Sequence, residues 1–380
     1  MAEVDVVMSV YNVGRYLTDT LRSIQTQTIR DLRIIIVDDG STDDTRSIIE
    51  DARKSDPRID YLYQANAGIV AAVNAGMQRS TAPFVARHDG DDLSYPFRLE
   101  KALDYLKENA DCVAVSGLAR HVDENAQPIG TTTRTKDMSL VDDESIPANE
   151  PYILQPLLMM KRDAYLQAGG YRTLTVGEDT DLYWRLSRIG SLHIMPEVLG
   201  DYRIHAHSIS STSIVAGRRM SAWTQLSAMS AQRRRKNLPD IQFDIDLQKL
   251  IDSQSEMIDL YRSIEPIMRD DEKPWFYSAM AAKLIETCYY RPFEPSSSDI
   301  DYILNVPRFD PTVRSRRFYD VFAEGVVSAG IRMAAAGRTG DALQLVPRHQ
   351  WPQLFGRVAF RVALPSDTRA TIKKFIKRSA

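Results

Sequence analysis

Apolar positions in the first half of the chain switch between two periods. "VDVVMSV" (4–10) and "LRIIIVDD" (32–39) are β-rich runs, and the second is continuous enough to predict a strand buried on both faces. Between them, "GRYLTDTLRSIQTQ" (14–27) sets Tyr16, Leu17, Leu21 and Ile24 at helical spacing. "STDDTRSIIEDARK" (41–54) opens on cap-type residues followed by acids, a helix start. "IDYLYQ", "GIVAAVNAGMQ" and "PFVARHD" then read as strand, helix and strand. The order βαβαβαβ predicts an α/β fold with a mostly parallel central sheet covered by helices. Ligands of such sheets sit beyond the carboxyl ends of the strands. "VDDGS" and "RHDGDD" both fall there.

After about residue 213 helical patterns take over. "RRMSAWTQLSAMSAQRRRK", "DLQKLIDSQSEMIDLYRSI" and "WFYSAMAAKLIETCYY" are amphipathic helix candidates. The expected division is a domain over 1–212 and a mainly helical C-terminal region over 213–380.

Composition narrows the partners. Of 380 residues 43% are hydrophobic and 26% charged, ordinary for a globular protein. A net charge of -3 provides no global field for nucleic acid. Cys112 and Cys288 form no metal pattern, and two cysteines in a chain this long fit a reducing compartment. The N-terminus reads as a strand rather than a signal peptide, and no run is clean enough to span a bilayer. The expected location is cytoplasmic. The end of the chain, from Gly356, carries seven Lys/Arg against one Asp, with Ile372, Phe375 and Ile376 on one helical face. That segment suits a peripheral contact with an anionic inner membrane face, or a solvated basic terminus.

Four stretches carry candidate chemistry. In "VDDGSTDDT" a buried strand delivers Asp38 and Asp39 to the ligand edge, where a carboxylate can accept from a nucleobase N–H or a ribose hydroxyl; it is equally a capped strand-to-helix loop. Tyr11, ending the first strand, can stack on a base or be a core tyrosine. In "RHDGDDLSYPFRLEK" Asp89, Asp91 and Asp92 surround one glycine. Hard divalent cations prefer such oxygen donors, and Mg²⁺ is typically held by one or two carboxylates plus substrate phosphates. The competing explanation is a helix beginning near Ser94 and Pro96, with Asp91 or Asp92 complementing its dipole. That accounts for one acid better than for three. In "GEDTDLYWRL" Asp181 and Arg185 are four apart and can pair. Glu178 and Asp179 stand at the helix mouth, either as caps or as a base for a hydroxyl. In "YRIHAHSIS" His205 and His207 lie two apart in a probable extended segment.

In combination these motifs resemble the inverting glycosyltransferase family 2, which has a GT-A-type nucleotide-sugar-binding fold. The resemblance rests on "SVYN" (9–12), "IIIVDDGSTDDT" (34–45), "NAG" (66–68 and again 74–76), "ARHDGDDLSYPFRLEK" (86–101), "GGY" (169–171), "GEDTDLYWRL" (177–186) and "YRIHAHSIS" (202–210). It covers about residues 3–212. It implies transfer of a sugar from a nucleoside-diphosphate donor to a hydroxyl of a glycan or lipid-linked acceptor. Tyr11, Asp38, Asp39, Asn74, Arg87 and Asp89 would then belong to the nucleotide-sugar site, Asp39 at a pyrimidine ring and Asp89 at the ribose. Asp91 and His205 would serve a Mn²⁺ or Mg²⁺ ion, with the choice between Asp91 and Asp92 open. Asp179, of the Glu178–Asp179 pair, would be the catalytic base. Two positions depart from the pattern: His88 stands where a small apolar residue or methionine is usual, and Gln155-Pro156 stands where a histidine is expected. The rivals are a nucleotidyltransferase, for which no glycine-rich phosphate loop is present, and a non-catalytic transferase-like module. A receiver domain would leave the later acidic motifs unexplained.

Overall fold

The computed structural model describes residues 2–205, 213–291, 293–306 and 319–363. The chain divides into two units: Met1–Val141, Glu150–Ser208 and Arg233–Lys249 form the first, and Asp142–Asn149, Ile209–Gln232 and Leu250–Ala380 the second. Where a single boundary at 212/213 was expected, the division is interleaved. The short insert 142–149 goes with the helical unit because Trp275 donates its indole N–H to the Glu144 and Ser145 carbonyls, and Gln225 accepts from the Ala148 N–H.

The first unit is a nine-stranded sheet with a GT-A-type layout. Its order is β3 (Ile59–Tyr63), β2 (Leu32–Asp38), β1 (Val4–Val10), β4 (Phe84–Asp89), β8 (Met159–Lys161), β6 (Cys112–Val122), β9 (Ser191–Arg203) and β5 (Leu93–Ser94), with β7 (Pro128–Thr132) beside β6. Pairing is parallel through β3-β2-β1-β4 and again between β6 and β9, while β8 runs antiparallel between β4 and β6. The continuous apolar run of β2 follows from burial on both faces. On one side Val4, Val6, Met8, Ile34 and Ile36 pack with Leu17, Leu21 and Ile24 of α1 (Gly14–Gln25). On the other, Val7 and Ile35 pack with Val73 and Met77 of α3 (Ile69–Arg79) and with Leu182 and Tyr183 of α6 (Glu178–Leu186). Strand order reverses at β1. Its register sets Val10 opposite Asp38 and Ser9 opposite Asp89, so the acidic ends of β2 and β4 flank Tyr11 at one edge.

Asp5 breaks the apolar pattern of β1. It is fully buried, paired with Arg33, and accepts from Ser80 Oγ and the Thr81 and Ala82 N–H groups. Burial works to raise its pKa, but Arg33 and these donors outweigh it, and the carboxyl lies below the ordinary aspartate value of 3.8. The stability it contributes is therefore present above that value and lost as pH falls through the lower folded-state pKa. Replacement by Ala leaves Arg33 and two backbone donors without their anion. The expected loss, read from urea unfolding, is about 3–5 kcal/mol.

Two expectations about helices change. The helix after the acidic loop begins at Arg98 (α4, Arg98–Glu108), not near Pro96, because Leu93 and Ser94 are drawn into pairing with Asp201 and Gly200. Asp91 and Asp92 are thus not first-turn acids. The 246–264 pattern is two helices, α8 (Ile245–Asp252) and α9 (Met257–Ile264), broken at the Ser253–Ser255 stretch. In the helical unit Arg218 is nearly fully buried, paired with Asp299 and Glu256 and donating to Ser296. Ser296 and Asp299 form a capping box for the helix Ser297–Leu304. Among the described residues no helix is long and apolar enough to cross a membrane. His207 and most of the basic terminus, with Ile372, Phe375 and Ile376, lie outside the described residues.

Candidate active site

The β2 end is held from below. Asp38 is buried, accepting from the Ser41 N–H at 2.8 Å and from the Tyr61 hydroxyl at 3.1 Å. Gly40 has φ +81°, and a side chain there would meet the Asn66 backbone at 2.8 Å. Asp39 accepts from Gln64 Nε2 and from the N–H groups of Ala67 and Gly68. Of roughly four lone-pair sites on a carboxylate, these take three. Tyr11 is 50% exposed at the end of β1. Asn74 sits on α3 and uses its amide on the Tyr171 carbonyl and the Tyr165 hydroxyl, tying that loop to the helix.

The loop after β4 rests on buried cations. Arg87 is fully buried, donating to the Val7 carbonyl at 2.8 Å and to Asp89 at 3.2 Å. Arg98, also fully buried, donates to Ser94 Oγ and to the Arg87 carbonyl. These guanidinium groups offset part of the repulsion among three neighbouring acids. Gly90 is required by space, since a Cβ would lie 2.8 Å from Val10 and 2.9 Å from Val13. His88 is buried with Nδ1 2.7 Å from the Asp89 carbonyl, so Nδ1 carries the proton. Burial, then the charge of Arg98, brings it down to about 3, and the imidazole is neutral.

The three carboxyls of the loop differ in what they face. Asp92 is 2% exposed, accepts from the Arg203 N–H at 2.7 Å, and is pushed well above the ordinary range by burial and by Asp91 and Asp89. Asp91 is 25% exposed, its Oδ2 2.8 Å from His205 Nε2. Asp89 is pushed up to about 6 by burial and by the charges of Asp91 and Asp179. Arg203 binds the Asp91 carbonyl and lies over the Tyr16 ring, which His205 also touches at 5.1 Å between centroids. Among the described residues no group of three or more His, Cys, Asp or Glu side chains is placed to hold a metal ion. Asp91 and His205 supply two donors, which suits a hard cation that completes its shell with phosphate oxygens and water.

Glu178 and Asp179 open α6. Asp181 is spent on Arg185, with both buried. Asp179 Oδ1 accepts from the Thr180 N–H at 2.7 Å, and its carboxyl is raised by burial and by Glu150. Glu178 is pushed up to about 8 by burial and by Asp179. Beside it Gln155 accepts from the hydroxyls of Tyr183 at 3.0 Å and Tyr171 at 3.4 Å, which turns its amide nitrogen toward Glu178, 3.5 Å away. Sequence reasoning noted Gln155 only as a departure, carried Tyr171 and Tyr183 inside the "GGY" and "GEDTDLYWRL" motifs without a role, and missed Glu150 and Tyr152, which carry no spacing signal. Tyr16 was read as part of a core stripe. The parity of Arg203 with His205 was the available clue to their shared surroundings.

The family model described as Glycosyl transferase family 2 matches residues 5–167. An uncharacterized glycosyltransferase of Haemophilus influenzae is 31% identical over 217 residues, 55% of this chain and 67% of that protein. The putative teichuronic acid biosynthesis glycosyltransferase TuaG of Bacillus subtilis is 28% identical over 218 residues, 57% of this chain and 84% of that protein. Among solved structures, S. aureus TarS 1–349 in complex with UDP-GlcNAc has a TM-score of 0.51 at 15% identity, covering 93% of this chain and 92% of that one. The mannosyltransferase PcManGT from Pyrobaculum calidifontis, in complex with GDP-Man and Mn²⁺, has a TM-score of 0.50 at 16% identity, covering 90% and 85%. The structural likenesses speak to the fold. Sequence similarity, strand order and the acidic edge agree: the chain belongs to glycosyl transferase family 2 and is a glycosyltransferase.

Proposed function

We propose that this protein transfers a sugar, with inversion, from a uridine or thymidine diphosphate sugar to a hydroxyl of a glycan or lipid-linked acceptor in polysaccharide or glycoconjugate synthesis. The observation that carries the reading is that the charges of both Asp91 and Asp179 raise the Asp89 carboxyl, which supports a nucleotide side and a base side that share one edge. Inversion needs a single displacement and one base. Thr180 occupies Asp179 Oδ1, which leaves Oδ2 to take the proton as the acceptor oxygen attacks the anomeric carbon and the nucleoside diphosphate leaves. Burial and the Asp179 charge hold the Glu178 carboxyl above the ordinary glutamate range, which favours Asp179 as the base. Asp89 serves the ribose, Tyr11 and Asp39 the base, and Arg87 and Asp38 hold those carboxyls and loops in place. Asn74 acts through the Tyr165–Tyr171 loop.

Asp91 and His205 would hold the divalent cation. When bound, Mn²⁺ or Mg²⁺ stabilises charge on the leaving diphosphate. The neighbours with UDP-GlcNAc and with GDP-Man and Mn²⁺ support a nucleotide-sugar donor and a divalent ion. The teichuronic acid relative supports polysaccharide synthesis. The basic terminus is proposed to bring the protein to the inner face of a membrane bearing the acceptor.

The test is a thermal-shift panel of UDP-GlcNAc, UDP-glucose, dTDP-glucose and GDP-mannose with and without Mn²⁺. Uridine or thymidine donors are expected to stabilise, more so with Mn²⁺; no shift with any donor would overturn the reading. The pH–rate profile offers a second check. Asp179 must be ionised to act, so the acidic limb should lie above the ordinary carboxylate range. In Glu150→Gln that limb should move to lower pH, because one charge that raises Asp179 is gone.

A further inference from the structure

From Glu150 to Met160 the chain is buried or half-buried at every position but one. The exception is Tyr152, 36% exposed, whose hydroxyl has no hydrogen-bond partner among the described residues. An apolar ring left open in such a run has no packing role that explains its exposure. The surroundings of Tyr152 are specific. Three residues on, Gln155 reaches Glu178, and the Asp179 charge acts directly on the Tyr152 phenol, which burial first and that charge second push up to about 12. Glu150, two residues earlier, in turn acts on Asp179. An open aromatic face with carboxylates beside it matches the two sides of a pyranose. The C–H face of the sugar packs on a ring, whose face is electron-rich, and its hydroxyls donate to carboxylate oxygens. A linear polyol phosphate or a free lipid alcohol offers no such flat C–H face.

We propose that Tyr152 is the platform of an acceptor subsite, so that the group glycosylated is a hydroxyl of a pyranose ring rather than of a linear polyol. This rests on Asp179 being the base of the proposed transfer. Tyr152 sets the plane of the acceptor ring. The phenol hydroxyl is not needed for stacking, so Phe and Trp are acceptable replacements and Ser is not.

Saturation-transfer NMR on the full chain with UDP and Mn²⁺ tests this, using methyl β-D-glucopyranoside, methyl β-D-galactopyranoside and cellotriose against ribitol as probes. At least one pyranoside is expected to bind, with ribitol silent. In Tyr152→Ser its affinity should fall ~10-fold, while Tyr152→Phe and Tyr152→Trp retain it. UDP signals should be unchanged in all three variants, which shows that each is folded with its nucleotide site intact. The proposal is overturned if UDP binds but no pyranoside does, if ribitol binds as well as the pyranosides, or if Tyr152→Ser keeps full affinity. Absence of UDP signals from the unaltered protein would instead overturn the nucleotide-sugar reading beneath it.

Discussion

Asp179→Asn is expected to slow sugar transfer by ~10²–10⁴-fold, the usual contribution of a positioned general base, and to leave nucleotide-sugar affinity unchanged. Asn can still accept from the Thr180 N–H, so the start of α6 survives. What is lost is the oxygen able to take a proton. Steady-state kinetics beside calorimetric donor binding separate the two effects. Loss of donor binding in parallel with rate would place Asp179 in the nucleotide site instead. Retention of full activity would remove it from the chemistry. The same pair of measurements distinguishes an enzyme from a transferase-like binding module, since a module has no rate to lose.

Asp91→Asn is expected to weaken Mn²⁺-dependent UDP binding by ~100-fold, at or above the cost of removing an outer partner of a metal ligand. Asp92→Asn is expected to retain it. The two neighbours have the same chemistry and differ in placement. Asp91 faces His205 and solvent, whereas Asp92 is buried against the Arg203 backbone, and that burial pushes its carboxyl well above the ordinary range. An amide oxygen can accept from the Arg203 N–H in place of the Asp92 carboxyl, whereas it carries no negative charge to offer a cation. Calorimetry of UDP with and without Mn²⁺ reads both variants. The reverse pattern would exchange the two assignments.

The alternation of strands and helices was legible because each element buries a face, and burial writes its period into the apolar residues. Val4, Val6 and Met8 face one layer and Val7 the other, as a period of two requires. The family was legible because its acidic motifs recur in a set order along the chain. Less was legible where one polar residue serves a distant partner. The Ser94–Pro96 stretch reads as a helix start, yet Leu93 and Ser94 pair with residues more than a hundred positions later. The 246–264 run carries a continuous helical pattern that is broken in the fold, because period alone does not reveal a break among short polar residues.

The sequence by itself determined the order of elements, the two-faced core of the sheet and which carboxylates stand at strand and helix ends. Those are local properties, set by which neighbours along the chain are apolar. The tertiary structure decided what each carboxylate experiences. Asp89 and Asp179 are ninety positions apart, yet one raises the pKa of the other. Arg87 and Arg98 lie buried beneath the acidic loop, Asp92 turns inward to Arg203, and Asp91 is left to meet His205. Charge, solvent access and hydrogen-bond partners depend on distance through space, and folding creates those distances.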